Sequence, residues 1–323
     1  MIKGFWGELH KPFFVLAPMY DVTDAAFRRM IARYSRPDVM FTEFVSVDGI
    51  LHLEGRDKLI HHLWFDESER PIVAQVFGAN PRNFENVAVL CRKLGFDGID
   101  INMGCPEKNV IKQGAGAGLI CESERAKDII AATISGAGQM PVSVKTRIGF
   151  NKEEIDTWLP CILEQNIATL TVHLRTRKEM SEYLAHWDLM PRIVAMKNDL
   201  QPDTLIVGNG DVKSVQMGKE LVKKTGCDGV MVGRGVFGNP WFFTDPESVV
   251  SVTEKLRVMI EHTKLFEELF TGINNFAIMK KHYKAYVNGF PHASALRAEL
   301  MEAHNAIEVE NITQKFIDLN HNI

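Results

Sequence analysis

The chain has 323 residues, of which 46% are hydrophobic and 24% charged, and its formal net charge is −4. This length suits one barrel with a smaller domain, and the overall charge gives no sign of nucleic-acid binding, although a local basic face stays open. No apolar run could span a membrane, and Met1 to His10 lacks a signal-peptide core, so we expect a cytoplasmic protein. Five cysteines without C-x-x-C spacing indicate free thiols and no structural zinc site.

Eight apolar, β-branched runs alternate with longer segments of helical pattern. The predicted strands are 13–17, 39–44, 72–77, 98–102, 142–146, 169–173, 204–208 and 229–232. The segments 24–33, 80–95, 123–134 and 214–225 carry helix signals, several opened by a capping residue. Eight strands in strict alternation with helices favour an α/β fold, a closed TIM (β/α)8 barrel, over an open doubly wound sheet.

The pattern changes after Asn239-Pro240-Trp241, where strand signals stop. From about Pro246 onward, apolar residues recur at helical spacing, as Leu256, Met259, Ile260 and Phe266 do. We therefore predict a barrel domain over residues 1–243 and an all-helical domain over residues 244–323.

Polar residues collect where the predicted strands end. In a parallel barrel these ends form one rim, which carries the active site. The segments at this rim are Ala17-Pro18-Met19, Gln75, Asn102 with Cys105, Lys145, His173 with Arg175, Asn209-Gly210-Asp211 and Gly233-Arg234. Each alone would be an ordinary solvated residue, but their placement at successive strand ends predicts a site.

Two glycine turns after the last two strands, one beside Arg234, are typical of a phosphate cradle and predict a phosphorylated cofactor. Lys145 and His173 could stabilise the charge of a reduced flavin, and Gln75 offers both a donor and an acceptor to its pyrimidine edge. The backbone of residues 17–19 would pack against the rings. The run of residues 114–118 departs from a dinucleotide fingerprint, so we do not interpret it as a nicotinamide site. We interpret His61-His62 as a solvated turn instead of a metal site.

Cys105 lies in Asn102-Met103-Gly104-Cys105-Pro106, just past a predicted strand. A loop restricted by glycine and proline can aim a thiol at a ligand, so we interpret Cys105 as catalytic. The alternative is a buried structural cysteine.

The sequence resembles the tRNA-dihydrouridine synthase family over nearly its whole length. The resemblance rests on Ala17-Pro18-Met19, Thr42-Glu43, Gln75-Val76-Phe77-Gly78, Asn102-Met103-Gly104-Cys105-Pro106, Lys145-Thr146-Arg147, His173, Arg175-Thr176, Asn209-Gly210-Asp211, Gly233-Arg234-Gly235 and Gly238-Asn239-Pro240-Trp241. Leu174, where the family usually has glycine, and the segment 180–187 depart from the pattern.

The resemblance implies that reduced FMN delivers a hydride to C6 of a uracil in tRNA and that Cys105 protonates C5. An unperturbed thiol pKa of about 8.5 keeps this proton in place near neutral pH. NADPH, or NADH, would reload the flavin. Asn102 and Arg175 are the predicted substrate contacts on the rim.

The helical tail carries a run without acidic residues, from Ile278 to Arg297. Its basic residues Lys280, Lys281, Lys284 and Arg297 are predicted to contact tRNA phosphates. The interleaved rings are predicted to stack on bases, and they are His282, Tyr283, Tyr286, Phe290 and His292. A target base inside folded RNA must be flipped into the pocket. We expect a monomer that binds no metal.

Three alternatives remain open at this stage. A flavin barrel enzyme of the dihydroorotate dehydrogenase type would share the flavin site and act on a free small molecule, but would not need the basic tail. A phosphosugar isomerase would use the phosphate cradle and be colourless. A non-catalytic RNA-binding relative would lose Cys105 or Lys145, and both are present.

Overall fold

The computed structural model describes residues 3–244 and 250–320, and parallel strands form its centre. The strands are β1 (Phe13–Leu16), β2 (Met40–Phe41), β3 (Val45–Ser46), β4 (Ile72–Phe77), β5 (Gly98–Met103), β6 (Val142–Arg147), β7 (Thr169–His173), β8 (Leu205–Asn209) and β9 (Gly229–Val232). They pair in the order β1-β9-β8-β7-β6-β5-β4-β2, with β3 also paired to β4. A parallel bridge from Val15 to Val39 closes the ring, which confirms the predicted barrel.

The second predicted strand, 39–44, is divided into β2 and β3. Between them the Thr42 hydroxyl accepts the backbone N–H of Gln75 at 3.1 Å and donates to the Glu43 carbonyl at 2.8 Å. A side chain thus replaces one bond of the ladder. Sequence periodicity carries no signal for such a replacement.

Helices cover the outside of the ring and form the C-terminal region. They are α1 (Ala25–Ser35), α2 (Val47–Leu51), α3 (Leu53–Leu59), α4 (Pro81–Lys93), α5 (Lys108–Lys112), α6 (Ser123–Ala137), α7 (Ile155–Leu163), α8 (Met190–Leu200), α9 (Val215–Thr225), α10 (Val252–Phe270), α11 (Met279–Tyr286), α12 (Ala293–Glu302) and α13 (Ala306–Leu319). Asp24, Asn80 and Ser214 cap α1, α4 and α9 through side-chain oxygens, as the sequence predicts.

The barrel is closed at the amino ends of its strands by a short 3₁₀ turn, Gly4–Glu8. Its Trp6 is 1% exposed and packs against Phe13 and Phe41 inside the ring. With this end filled by an apolar plug, the carboxyl ends of the strands are left for a ligand site.

The described part of the C-terminal region is helical, and it packs on the barrel through α1. Ala25, Ala26 and Met30 of α1 share one apolar core with α10 to α13. The rings of Phe27 on α1 and Phe237 after β9 lie 5.5 and 5.3 Å from that of His282 on α11. The helical region is therefore seated beside the start of α1, next to the rim.

Candidate active site

The cysteine loop follows β5 directly and is held by two side chains and one backbone group. The Asn102 Oδ1 accepts the backbone N–H groups of Gly104 at 3.1 Å and Cys105 at 2.9 Å. The Arg147 Nε donates to the Gly104 carbonyl at 2.8 Å, and the Ala117 N–H donates to the Cys105 carbonyl at 2.9 Å. The loop therefore has a fixed path, and the Cys105 side chain has a defined position.

The glycine-rich run 114–118, which does not match a nicotinamide-binding fingerprint, packs on this loop. Gly116 has φ +58°, and a Cβ there would lie 2.9 Å from the Cys105 carbonyl oxygen. Glycine at this position is thus required by close backbone approach.

Cys105 is 7% exposed. Burial raises the pKa of its thiol above the ordinary value, and the positive charges of Arg147 and Lys145 offset only part of that rise. The thiol is therefore protonated at neutral pH. Such a group is suited to donate a proton and not to act as a thiolate nucleophile.

A cavity of about 740 Å³ opens at the carboxyl ends of β1 and β6 to β9. This volume is typical of a site for a cofactor. Predicted cofactor residues that line it are Ala17, Pro18, Met19, Lys145, His173, Asn209, Gly210, Asp211, Gly233 and Arg234. Lys145 lies opposite Asn102 in the β5–β6 ladder, so the cavity and the cysteine loop have neighbouring walls.

Lys145 and His173 give the cavity wall one cation and one neutral ring. Lys145 donates to the Asn209 Oδ1 at 3.3 Å, and burial, with Arg147 nearby, lowers the pKa of Lys145 to about 8. Burial and the surrounding cations hold the pKa of His173 well below its usual range. Because an arginine only donates, the Arg175 contact at 2.9 Å makes His173 Nε2 an acceptor and leaves the proton on Nδ1.

Asp211 joins the two arginines of this rim. Its carboxylate pairs with Arg175 at 2.5 Å and Arg234 at 3.0 Å and accepts the N–H of Ala185 at 2.9 Å. Burial raises the pKa of Asp211, but the hydrogen bonds from Arg175 and Ala185 hold it below its usual value. Asp211 therefore orients Arg234, whose side chain is 64% exposed, toward any anion in the cavity.

The segment that departs from the family pattern forms one side of the cavity through residues 181–184. The Trp187 Nε1 donates to the Gly210 carbonyl at 2.8 Å, and the Tyr183 carbonyl accepts from Arg175 Nε at 2.6 Å. Arg175, a predicted substrate contact, is 1% exposed and uses its guanidinium on His173, Asp211 and Tyr183. In this arrangement Arg175 shapes the cavity wall.

Gln75 is fully buried beneath the cysteine loop and does not line the cavity. Its Nε2 donates to Asp100 Oδ2 at 2.7 Å, and its Oε1 accepts from Asn102 Nδ2 at 2.9 Å. Asn102 itself is 6% exposed. The structure thus brings Gln75 and Asn102 together, below the thiol, in a hydrogen-bonded chain.

Sequence reasoning missed an aromatic row on the other side of the thiol. Phe44 and Phe77 pack against Cys105, and their rings lie 5.6 Å apart. Tyr20, 50% exposed, extends the row at 5.5 Å from Phe44. The signal in the sequence is the position of these three aromatic residues. Tyr20, Phe44 and Phe77 directly follow Met19, Glu43 and Val76, which belong to motifs already singled out.

His61 and His62 are buried, so the prediction of a solvated turn there was wrong. His62 Nδ1 lies 2.9 Å from the Glu43 carboxylate, and the His61 ring packs 6.0 Å from that of Phe270. The Glu43 contact compensates the burial of His62, whereas both ring nitrogens of His61 have no hydrogen-bond partner among the described residues; neither Glu43 nor Phe270 is close in sequence. Within residues 3–244 and 250–320, no group of three or more His, Cys, Asp or Glu side chains could hold a metal.

The predicted RNA-binding lysines lie on α11, beside the rim. The Lys281 Nζ donates to the Asp21 carbonyl at 2.9 Å, and Lys280 donates to the Met301 carbonyl. Arg297 donates to the Val287 carbonyl at 2.7 Å, and Lys284 is exposed. The stacking predicted for His282, Tyr283 and Tyr286 was wrong, because these rings are at most 1% exposed and fill the core between α11 and its neighbours.

The fold and this site define a (β/α)8-barrel protein with cationic side chains at its rim and a protonated thiol beside them. The profile of the dihydrouridine synthase family, Dihydrouridine synthase (Dus), matches residues 15–321. The chain belongs to this family. It is an oxidoreductase, because dihydrouridine is uridine reduced at one carbon–carbon double bond.

Relatives of similar length carry matching names. A protein of Staphylococcus aureus strain MRSA252, named "Probable tRNA-dihydrouridine synthase", is 43% identical over 98% of this chain and 96% of its own. "Probable tRNA-dihydrouridine synthase 2" of Bacillus subtilis strain 168 is also 43% identical, over 98% and 97%.

Solved structures agree on the fold. An old yellow enzyme homologue from Zymomonas mobilis covers 71% of this chain and 86% of its own, with a TM-score of 0.50 and 11% identity. Histamine dehydrogenase from Rhizobium sp. 4-9 covers 82% and 50%, with a TM-score of 0.52 and 12% identity. Over the described ranges, none of the helices is long and apolar enough to cross a lipid bilayer.

Proposed function

We propose that this chain is a tRNA-dihydrouridine synthase that reduces the C5=C6 bond of specific uridines in tRNA, with FMN as the hydride carrier and NADPH as its reductant. The observation that carries the proposal is the protonated, buried thiol of Cys105 beside a cationic cavity of cofactor size, in a chain of this family. A small-molecule oxidoreductase, an isomerase and a non-catalytic relative are set aside by the family match and by this thiol.

The cavity residues fit FMN in charge and shape. Gly210 and Gly233 line the cavity without side chains, and Ala17 and Met19 lie beside Gly233. Arg234 and the glycine turns would hold the phosphate, and Lys145 with the Nδ1 proton of His173 would face the flavin ring. When bound, FMN supplies the hydride that adds to C6 of the uracil.

The role of Cys105 is to deliver a proton to C5 as C6 receives the hydride. The C5=C6 π bond breaks, new C–H bonds form at both carbons, and sulfur is left as a thiolate beside Arg147 and Lys145. Solvent returns the proton. Asn102 holds the loop that presents the thiol.

The helical region, with a domain boundary near residue 243, is proposed to bind the tRNA, as predicted from the sequence. Lys281 joins that region to Asp21 near the rim, Lys284 is exposed on the same helix, and Tyr20 offers an exposed ring beside Phe44, which packs against Cys105. A phosphate contact near α11 and a stacked base at Tyr20 would guide the extruded uridine inward. Cytoplasmic location, a monomeric state and the choice of NADPH over NADH stay predictions.

Replacing Arg234 with alanine should weaken FMN binding by about tenfold. A charge-assisted phosphate contact contributes roughly 1.5–3 kcal/mol, and the exposure of this side chain reduces that value. Titration of apoprotein with FMN, followed by flavin fluorescence, measures the effect. The matched control is Arg82→Ala, an exposed arginine on α4. Equal affinities for the two variants would mean that the phosphate lies elsewhere.

Replacing Lys280, Lys281 and Lys284 together with glutamine should weaken tRNA binding and flatten its logarithmic salt dependence by up to about three units, because three counterion-releasing contacts are lost. Fluorescence anisotropy over a salt series gives both quantities. The control replaces Lys219, Lys223 and Lys224, exposed on α9, with glutamine. An unchanged affinity and slope in the α11 variant would place the RNA elsewhere on the protein.

A further inference from the structure

A continuous chain of buried polar side chains runs under the cysteine loop, across three neighbouring strands. Ser143 Oγ donates to Asp100 Oδ1 at 2.6 Å, and Gln75 Nε2 donates to Asp100 Oδ2 at 2.7 Å. Gln75 Oε1 then accepts from Asn102 Nδ2 at 2.9 Å, and Asn102 Oδ1 accepts from Cys105 N at 2.9 Å. All four side chains are 6% exposed or less. The chain thus connects one carboxylate in the barrel interior to the backbone of Cys105.

The hydrogen bonds in this series all run in one direction, and Asp100 sets that direction. An ionised carboxylate only accepts hydrogen bonds, whereas an amide has a donor end and an acceptor end. Gln75 must therefore turn its NH₂ toward Asp100 and its oxygen toward Asn102. Asn102 must in turn direct its NH₂ to Gln75 and its oxygen to the loop.

The loop needs this orientation of Asn102. Both groups that Asn102 meets there, Gly104 N and Cys105 N, are donors. A reversed amide would place its NH₂ against two N–H groups and leave all of them without acceptors in a buried site. The path of the loop, and with it the thiol, thus depends on which way two amides face.

We propose that Asp100 is a positioning residue that fixes the Cys105 loop through Gln75 and Asn102. The proposal deepens the proposed function, since it takes Cys105 as the proton donor. Burial raises the pKa of Asp100 to about 6, although the hydrogen bonds from Ser143 and Gln75 lower it. The carboxylate is therefore ionised at pH 7.5 and at that pH sets the direction of the hydrogen bonds.

The test is the reactivity of Cys105 toward iodoacetamide in the flavin-free protein at pH 7.5, resolved by peptide mass spectrometry. Asp100→Asn keeps the shape of the side chain but replaces an acceptor-only group with an amide that can face either way, so position 100 no longer fixes the direction of the hydrogen bonds. We expect Cys105 to be alkylated about fivefold faster or more, because the loop opens more often in the molecules whose amides have turned round and left it without its acceptor. The control is Thr171→Val on β7, which removes a buried hydroxyl that has no partner among the described residues, and it should stay within twofold of the original chain.

A second variant separates direction from general damage. Asp100→Asn combined with Gln75→Glu moves the acceptor-only group one step along the chain, where it accepts from position 100 and from Asn102. The orientation of Asn102 is then restored, and we expect alkylation of Cys105 to return to within about threefold of the original rate. If Asp100→Asn does not fold, the double variant alone decides, since restored direction predicts both folding and the original reactivity.

Two results would overturn the proposal: a folded Asp100→Asn with the original Cys105 reactivity, or a folded double variant that stays as reactive as the single one. In the loaded enzyme, Asp100→Asn should slow oxidation of reduced flavin by tRNA about tenfold. The alkylation assay needs neither flavin nor tRNA. If the original chain failed to act on tRNA, the proposed function would fall while the alkylation result would still decide the role of Asp100.

Discussion

Replacing Cys105 with alanine is expected to slow the reduction of tRNA uridine by about a hundredfold or more, as the loss of a general acid does. Flavin binding and flavin reduction by NADPH should be unchanged, because these steps need no proton from the thiol. Stopped-flow absorbance of the flavin measures both half-reactions separately. The split between them is the expected result.

The matched control for this variant is Cys121→Ala, an exposed cysteine after the glycine-rich run. It should behave like the original chain in both half-reactions. An equal collapse of flavin reduction in Cys105→Ala would make Cys105 structural. An unchanged rate with tRNA would rule out a proton donor at this position.

Replacing Lys145 with methionine should slow flavin reduction by NADPH by about a hundredfold, because a preorganised cation is removed from the place where negative charge develops. Methionine keeps the length of the apolar stem, so the wall of the cavity is preserved. The FMN spectrum should still be that of a bound flavin. A rate within threefold of the original would mean that Lys145 does not face the flavin.

The same lysine predicts a dependence on pH. Its pKa is lowered to about 8 by burial first and by Arg147 second, so the cation is present below pH 8 and is lost as the pH rises through that value. Flavin reduction should therefore fall above pH 8 in the original chain and show no such fall in Lys145→Met. Lys145→Arg, whose charge persists, should shift the fall upward. A flat profile in the original chain would contradict this assignment.

The barrel could be predicted from the sequence because each strand and helix has a local signal. The apolar runs, the capping residues Asp24, Asn80 and Ser214, and the glycine turns beside Arg234 all act within a few residues of themselves. Parallel connection then places all strand ends at one rim. The lining of the cavity by Lys145, His173 and Arg234 follows from that geometry alone.

Hydrogen-bond partners between strands could not be predicted in this way. Gln75 was assigned to the pyrimidine edge of the flavin and Asn102 to the uracil, and both assignments stay predictions; what could not be predicted is that the barrel interior joins the two side chains to Asp100, on the strand beside Gln75. Arg175 was likewise assigned to substrate, while the fold surrounds it with His173, Asp211 and Tyr183. Asp100, a charged residue inside an apolar run, was the one local sign of this network.

The burial of aromatic side chains in the helical region could not be predicted from the local sequence either. A run such as Lys280 to Tyr286 alternates charged and aromatic residues, which is equally typical of an RNA-binding patch and of an amphipathic helix. The structure places the rings of His282 and Tyr283 in a core shared with α1 and leaves Lys284 outside. Only the packing of α11 against a barrel helix distinguishes the two.

The most direct test of the account is to incubate the purified chain with FMN, NADPH and tRNA transcribed without modifications, and to map dihydrouridine by mass spectrometry. The account predicts dihydrouridine at one or a few defined uridines, formed only when both FMN and NADPH are present and almost absent with Cys105→Ala. Two results together would contradict the account. The first is a chain that binds FMN tightly and lets NADPH reduce it but forms no dihydrouridine in any tRNA offered; the second is an unchanged dihydrouridine content in tRNA from cells that lack this protein.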